Sequence, residues 1–284
     1  MADTKGLLVR KCRIISGDRG TRMCGIFGFV LKNPVHVPII FRVLQKLEVN
    51  QYPGETKPVG GYGAGVAVML NDGSIIWEKI GKVDGSPAAH LAEIMEPKLS
   101  DVSVLIGHVR YPSPEFMATA SLREAAQPFV GQFEPELTIV SAHNGTVENY
   151  KELQERLKGH VFESAKAGFV DSEIIPHYFS ELINETESTD EALYKLLYTL
   201  QGSNTISMFH LDEENAFLHL IHKGKTRGLT VWANEKDEVI FCSRPEPVIE
   251  EFERVLARDK FKEKISIKWR EDAGLKLSFP ITFK

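Results

Sequence analysis

The sequence predicts an α+β fold built on antiparallel sheets, and three observations carry that expectation. In the last third, strand-like runs at 205–211, 216–222, 229–233 and 239–243 are separated only by short polar turns. Such a meander pairs antiparallel. The helical periodicities come in separate groups instead of alternating one for one with strands, which argues against a doubly wound parallel sheet. Finally, Gly60-Gly61-Tyr62-Gly63-Ala64-Gly65 leads into the β-rich 66–70 and not into a helix. It therefore lacks the setting of a dinucleotide-binding loop and reads as a place of close backbone approach.

The chain is organised around Met23-Cys24-Gly25-Ile26-Phe27-Gly28, whose apolar continuation to Leu31 predicts a central strand over 26–31. Ile39, Ile40, Val43, Leu44 and Leu47 have helical spacing and predict a helix over 38–47, with Pro38 tolerated in its first turn. Asn71-Asp72-Gly73 predicts a hairpin turn between strands 66–70 and 75–80. A helix around 90–95 ends near Pro97, and an apolar strand over 102–109 delivers Arg110. Tyr111-Pro112-Ser113-Pro114-Glu115 must be a loop, because two prolines fix φ and remove donors. A strand over 138–142 ends in His143-Asn144-Gly145, and a helix over 149–157 follows with Gly159 as its stop. Asp171-Ser172 look like the N-cap region of a helix carrying Ile174, Ile175, Tyr178, Phe179 and Leu182. Ser188-Thr189-Asp190-Glu191 is a capping box opening a helix that runs to Gln201. A helix over 247–257 and strands at 265–269 and 276–279 close the chain.

At 284 residues, with 43% hydrophobic and 26% charged content, the chain has the makeup of an ordinary soluble globule with a real core. A net charge of -5 and the lack of a Lys/Arg-rich run argue against nucleic-acid binding. No apolar run approaches the ~20 residues that span a bilayer. Cys12, Cys24 and Cys242 are too few and too scattered for a disulfide framework, which predicts a cytoplasmic setting. Segment 1–23 carries Lys5, Arg10, Lys11 and Arg13 but no apolar core of signal-peptide length. It reads as an extension: a removable propeptide, an upstream start with Met23 the real one, or a permanent arm. The second is preferred, because methionine before a small residue is the arrangement of an initiator.

If Met23 is removed, Cys24 carries a thiol and a free α-amine on one residue. An α-amine has a pKa of roughly 7.7–8, so near neutrality it can take a proton from the thiol beside it. That is the logic of an N-terminal nucleophile; the plainer alternative is a small buried apolar cysteine. Three strand ends also carry polar residues a core would not choose. Arg110 offers a planar fork for a carboxylate, Asp171 can receive an ammonium, and Asn144-Gly145 offers a side-chain amide and an open backbone N–H for an oxyanion. Their plainer readings are a surface ion pair, a helix cap and a turn. His219 and His222 alternate faces of a strand and do not share a metal, and no other histidines have ligand spacing.

Together these residues occur in the order Cys-Gly-Ile-Phe-Gly after a methionine, Gly107-His108-Val109-Arg110-Tyr111, Ala126-Gln127-Pro128-Phe129, His143-Asn144-Gly145 with Asn149-Tyr150, and Val170-Asp171-Ser172-Glu173. The combination resembles the class II glutamine amidotransferases, whose glutaminase domain is an N-terminal-nucleophile hydrolase. Lys225-Thr226-Arg227-Gly228-Leu229 and Phe241-Cys242-Ser243-Arg244 look like that family's later strands, so the resemblance spans Cys24 to about Val248. It implies a four-layer αββα sandwich, a glutamine amidotransferase type-2 domain over 24–284, and no cofactor or metal. It also implies Cys24 as nucleophile with its own amine as base, Asn144 and Gly145 as the oxyanion site, and Arg110, Asp171 and Ser113 as holders of free L-glutamine. The sequence departs from the family where Gly60 to Gly65 replaces an Arg-Gly-x-Asp-Ser-x-Gly stretch, where Ala125 replaces an asparagine, and in the segment before Cys24. The loop Tyr111-Pro112-Ser113-Pro114 is closer to glutamate-synthase-type glutaminase domains. The expected function is thus a glutaminase subunit supplying ammonia to a separate synthase subunit. The alternatives are an inactive regulatory or scaffolding homologue, or a hydrolase of another small amide.

Overall fold

In the computed structural model, which describes residues 24–134 and 137–282, the first strand starts on the Cys24 motif. Strand β1 (Gly25–His36) is buried through its first seven residues, as a strand covered on both faces must be. Helix α1 (Val37–Val49) buries Ile40, Val43, Leu44 and Leu47 along one stripe. Strands β2 (Gly63–Met69) and β3 (Ile75–Gly81) form the expected hairpin. Helix α2 (Pro87–Met95) is capped by Ser86, and β4 (Asp101–Val109) follows. After two 3₁₀ turns come β5 (Phe129–Glu134), β6 (Leu137–Gly145), α3 (Tyr150–Arg156) and α4 (Ile174–Glu185). In α5 (Thr189–Thr199) the Ser188 hydroxyl accepts the Glu191 N–H at 3.2 Å, the first half of the predicted capping box. Strands β7 (Asn204–Leu211), β8 (Ala216–Lys225), β9 (Leu229–Ala233) and β10 (Val239–Cys242) precede α6 (Pro245–Arg258), β11 (Lys262–Ile267) and β12 (Asp272–Pro280).

The strands assemble into a seven-stranded sheet, β11-β9-β10-β1-β4-β2-β3, and a five-stranded sheet, β12-β8-β7-β6-β5, with antiparallel neighbours throughout. Strand alternation explains how they stack. Ile26, Val30, Val104 and Ile106 of the first sheet share one core with Val140, Ala142, Phe209, Leu218 and Leu220 of the second, so these faces meet. The intervening Phe27 and Phe29 pack in a second core with Leu44, Leu91 and Phe252, from α1, α2 and α6. Ile139, Ile206 and Met208 pack in a third with Leu153, Phe179 and Leu196, from α3, α4 and α5. Three cores separate four layers, and the sandwich is the expected αββα.

The meander expected over 205–243 is corrected by the structure. Strands β7 and β8 lie in the five-stranded sheet, β9 and β10 in the seven-stranded one, and the chain changes layer at Thr226-Arg227-Gly228. The final pair is divided in the same way, β11 in one sheet and β12 in the other. Local alternation predicts strands and says nothing of which sheet receives them. Of the glycine run, Gly65 makes the close approach: a Cβ there would sit 2.0 Å from the Gln127 carbonyl oxygen. Cys12 and the whole extension 1–23 lie outside the described residues.

Candidate active site

Register brings the first two site residues together. Gly25 pairs with Val109 across β1 and β4, so Cys24 and Arg110 stand at adjoining strand ends. By alternation both continue the series that faces the second sheet, Ile26 on one strand and Val104 and Ile106 on the other. Cys24 is half-buried, and its thiol donates to the Tyr111 carbonyl at 3.6 Å. Burial pushes the thiol pKa up; the Tyr111 backbone, Arg110 and Arg227 pull it down, and Asp171 raises it again. Arg110 is not the surface ion pair of its plainer reading. It is buried, with Nη1 donating to the Thr119 carbonyl at 3.0 Å and Nη2 to the Thr119 hydroxyl at 2.7 Å. The 3₁₀ turn Pro114–Thr119 therefore holds the guanidinium side-on, and the hydroxyl of Ser113, which begins that turn, is buried without a partner among the described residues.

The opposite sheet supplies Asn144. Strand β6 runs through Gly145 and pairs Asn144 with Thr205 and Gly145 with Asn204, so these residues are strand, not a free turn. The amide of Asn144 is fully buried, yet neither its oxygen nor its nitrogen has a hydrogen-bond partner among the described residues. Leaving such a group unpaired costs about 1–3 kcal/mol, which points to a ligand-facing role. Its neighbour His143 is pinned from all sides. Gln127 accepts the His143 N–H at 2.6 Å and donates to the His143 carbonyl at 3.1 Å, while the ring meets Ser172 and Asn204 at 2.9 Å each. The Gln127 of the third motif thus behaves as an extra strand partner that fixes the register carrying Asn144. Gly145 adopts φ +151, and a Cβ would lie 2.0 Å from the Ser203 carbonyl oxygen. Gly145→Ala is therefore expected to cost about 2–4 kcal/mol, read as a lowered midpoint in urea unfolding.

Asp171 is buried, and its role as a helix cap is corrected. It opens a 3₁₀ turn, Asp171–Glu173, capped by Val170 without a side-chain bond, and α4 starts only at Ile174. Its Oδ2 instead accepts the Val147 N–H at 2.9 Å, from the loop leaving β6. Glu173 makes the local contacts instead. That carboxylate accepts the Glu163 N–H at 2.6 Å and the Ser164 N–H at 2.8 Å, tying down the chain before the turn. Asp171 lies within electrostatic reach of both Cys24 and Arg110. Cysteine, guanidinium, carboxylate and unpaired amide thus converge at one end of the inter-sheet layer. Thr119 and Arg227 also act on this group and were not singled out from sequence, because each reaches it through tertiary contacts alone. His219 and His222 have different partners, Ser278 for one and Thr205 for the other.

Residues 116–250 match the family model described as a glutamine amidotransferase domain. The chain carries a glutamine amidotransferase domain. Glutamine–fructose-6-phosphate aminotransferase (isomerizing) of Geobacillus kaustophilus is 30% identical over 196 residues, covering 68% of this chain and 28% of that protein. The enzyme of the same name from Thermococcus kodakarensis is 31% identical over 195 residues, covering 67% and 28%. The chain thus spans less than a third of these curated relatives. Among solved structures, the glutamine phosphoribosylpyrophosphate amidotransferase of B. subtilis aligns with TM-score 0.60 at 17% identity, over 92% of this chain and 50% of that one. The described residues thus share that structure's fold, two antiparallel sheets between layers of helices. No helix among the described residues is long and apolar enough to cross a membrane.

Proposed function

We propose that this chain hydrolyses the side-chain amide of free L-glutamine at Cys24 and delivers the ammonia to a separate synthase subunit, of glutamate synthase type or a related amine-transferring one. The observation that carries this reading is the buried Asn144 amide, unpartnered among the described residues and on the face of β6 that Val140 and Ala142 turn toward the sheet of Cys24 and Arg110. In this reading 24–284 is the amidotransferase domain, and 1–23 is removed, or never made, so that Cys24 has a free amine. The amine takes the thiol proton, sulfur bonds to the amide carbon, and the oxyanion receives hydrogen bonds from the Asn144 amide and the Gly145 N–H. Ammonia leaves with the proton returned by the ammonium, and water then cleaves the γ-glutamyl thioester to give glutamate. We place the protein in the cytoplasm, where a reduced thiol persists.

Specificity for the free amino acid follows from two opposite charges. Arg110 takes the α-carboxylate and Asp171 the α-ammonium, with Ser113 closing the pocket, so a peptide-bound glutamine leaves both partners unmatched. Arg110→Ala and Asp171→Asn are expected to lower kcat/KM for glutamine by about 100-fold or more, mainly through KM. Ammonia release from free glutamine measures this. Unchanged turnover in both variants would exclude free glutamine and leave a hydrolase of another small amide.

A further inference from the structure

Two of the largest fully buried side chains in the molecule are Arg227 and Arg244, and both reach one carboxylate. Glu55 Oε1 accepts from Arg227 Nη1 at 2.7 Å and from Arg244 Nη2, while Oε2 accepts the Tyr52 N–H at 2.8 Å. Arg227 Nη2 donates to the Pro58 carbonyl at 3.4 Å, and the Arg244 guanidinium lies over the Tyr52 ring, 3.7 Å from its centre. All these contacts fall on 51–59, a stretch with no strand or helix to hold it. The stretch ends on Val59, which is fully buried against Gly25: a methyl on Gly25 would come 2.5 Å from Val59 Cγ1. The arginines therefore decide where the wall beside Cys24 stands.

Their charges do not cancel. Two guanidiniums share one carboxylate, and Glu246, which accepts the Tyr52 hydroxyl at 2.6 Å, sits on the exposed side of the ring. Arg244 Nε is buried with no partner among the described residues. Apolar residues of similar size would hold a wall more cheaply than a buried ion cluster with an excess cation. A charge kept at that cost suggests that the charge itself is used.

We propose that Arg227 is a positioning residue for Cys24: clamped through Glu55 against Arg244, it holds the 51–59 wall on the nucleophile and supplies an uncompensated positive charge behind the thiol. The groups acting on that thiol are few. Burial disfavours its negative form, Arg110 and Arg227 favour it, and Asp171 opposes it. Arg227 responds in turn, since Cys24 is among the groups that support its charged form against burial. The claim rests on Cys24 as the nucleophile, but it is tested on the thiol alone, without glutamine.

The experiment follows alkylation of Cys24 in the full chain by iodoacetamide between about pH 5 and 10, read by peptide mass mapping, because the thiolate is the reacting form. Arg227→Met removes the cation, so the midpoint of the rate profile moves up and alkylation at pH 7 slows by about threefold to tenfold. Arg227→Lys restores most of it. Glu55→Gln breaks the same cluster but unmasks the arginines, so its midpoint moves down. A purely structural cluster would move both variants the same way, or neither, and either result overturns the proposal. Should Glu55→Gln not fold, the pair Arg244→Met and Arg244→Met with Glu55→Gln differs by the same carboxylate with less repulsion, and the second must again have the lower midpoint. These shifts survive even if no ammonia is ever released from glutamine, so the two readings fail separately.

Discussion

A chain whose first residue is Cys24 is expected to release ammonia from free glutamine about 10²- to 10⁴-fold faster than the same chain with Met23 still attached. The reaction needs a base. Burial holds the Cys24 thiol above its ordinary range, so at neutrality a proton acceptor must stand within reach of sulfur. The thiol hydrogen bond goes to the Tyr111 carbonyl, which accepts a hydrogen bond but cannot carry the proton away. His108, paired with Ile26 beside the site, carries an imidazole, and burial lowers its pKa to about 3. A base that weak is neutral at pH 7 but cannot hold a thiol proton there. Arg110 is a cation, and Asp171 spends one oxygen on the Val147 N–H. What remains is the α-amine of Cys24, present only when nothing precedes it. Intact-mass measurement paired with the ammonia assay checks this: activity in a protein whose mass begins before Cys24 would sink it, and Cys24→Ala gives the zero line.

The sequence made the strands and the short-range devices legible because their causes are local. The apolar run over 102–109, Asn71-Asp72-Gly73 and the Ser188 cap each act within a few residues, and each is found where local chemistry puts it. Cys24, Arg110, Asn144 and Gly145 could be singled out because polar residues at the ends of apolar strands are costly without a use; Asp171, expected at a strand end as well, follows no strand and opens a 3₁₀ turn. Contacts between distant segments were not legible. Glu55 meets Arg227 and Arg244 across 172 and 189 residues of chain, and nothing in a run of Gln-Tyr-Pro-Gly-Glu announces a buried ion cluster. The layer change at Arg227 belongs with that cluster, since an arginine buried beside a glutamate from another loop fixes where the strand leaves one sheet for the other. The cap expected at Asp171 is missing for a related reason: its partner, Val147, lies on a different element.

Asn144→Ala is expected to lower kcat about 10²- to 10³-fold with little change in KM, while leaving the folded chain no less stable. The two halves of that expectation come from one observation. The Asn144 amide is buried and unpaired among the described residues, so deleting it removes a desolvation cost of about 1–3 kcal/mol that offsets the loss of packing around a small side chain. In the reaction the same amide meets an oxyanion that the ground-state glutamine does not carry, so its loss falls on the transition state and not on binding. Gln127→Ala makes the contrast. Gln127 holds both backbone groups of His143, so its removal should cost stability and activity together. Thermal unfolding and steady-state kinetics on the two variants separate the roles. If Asn144→Ala unfolded as readily as Gln127→Ala, the amide would be part of the scaffold, and the oxyanion would have to be stabilised elsewhere.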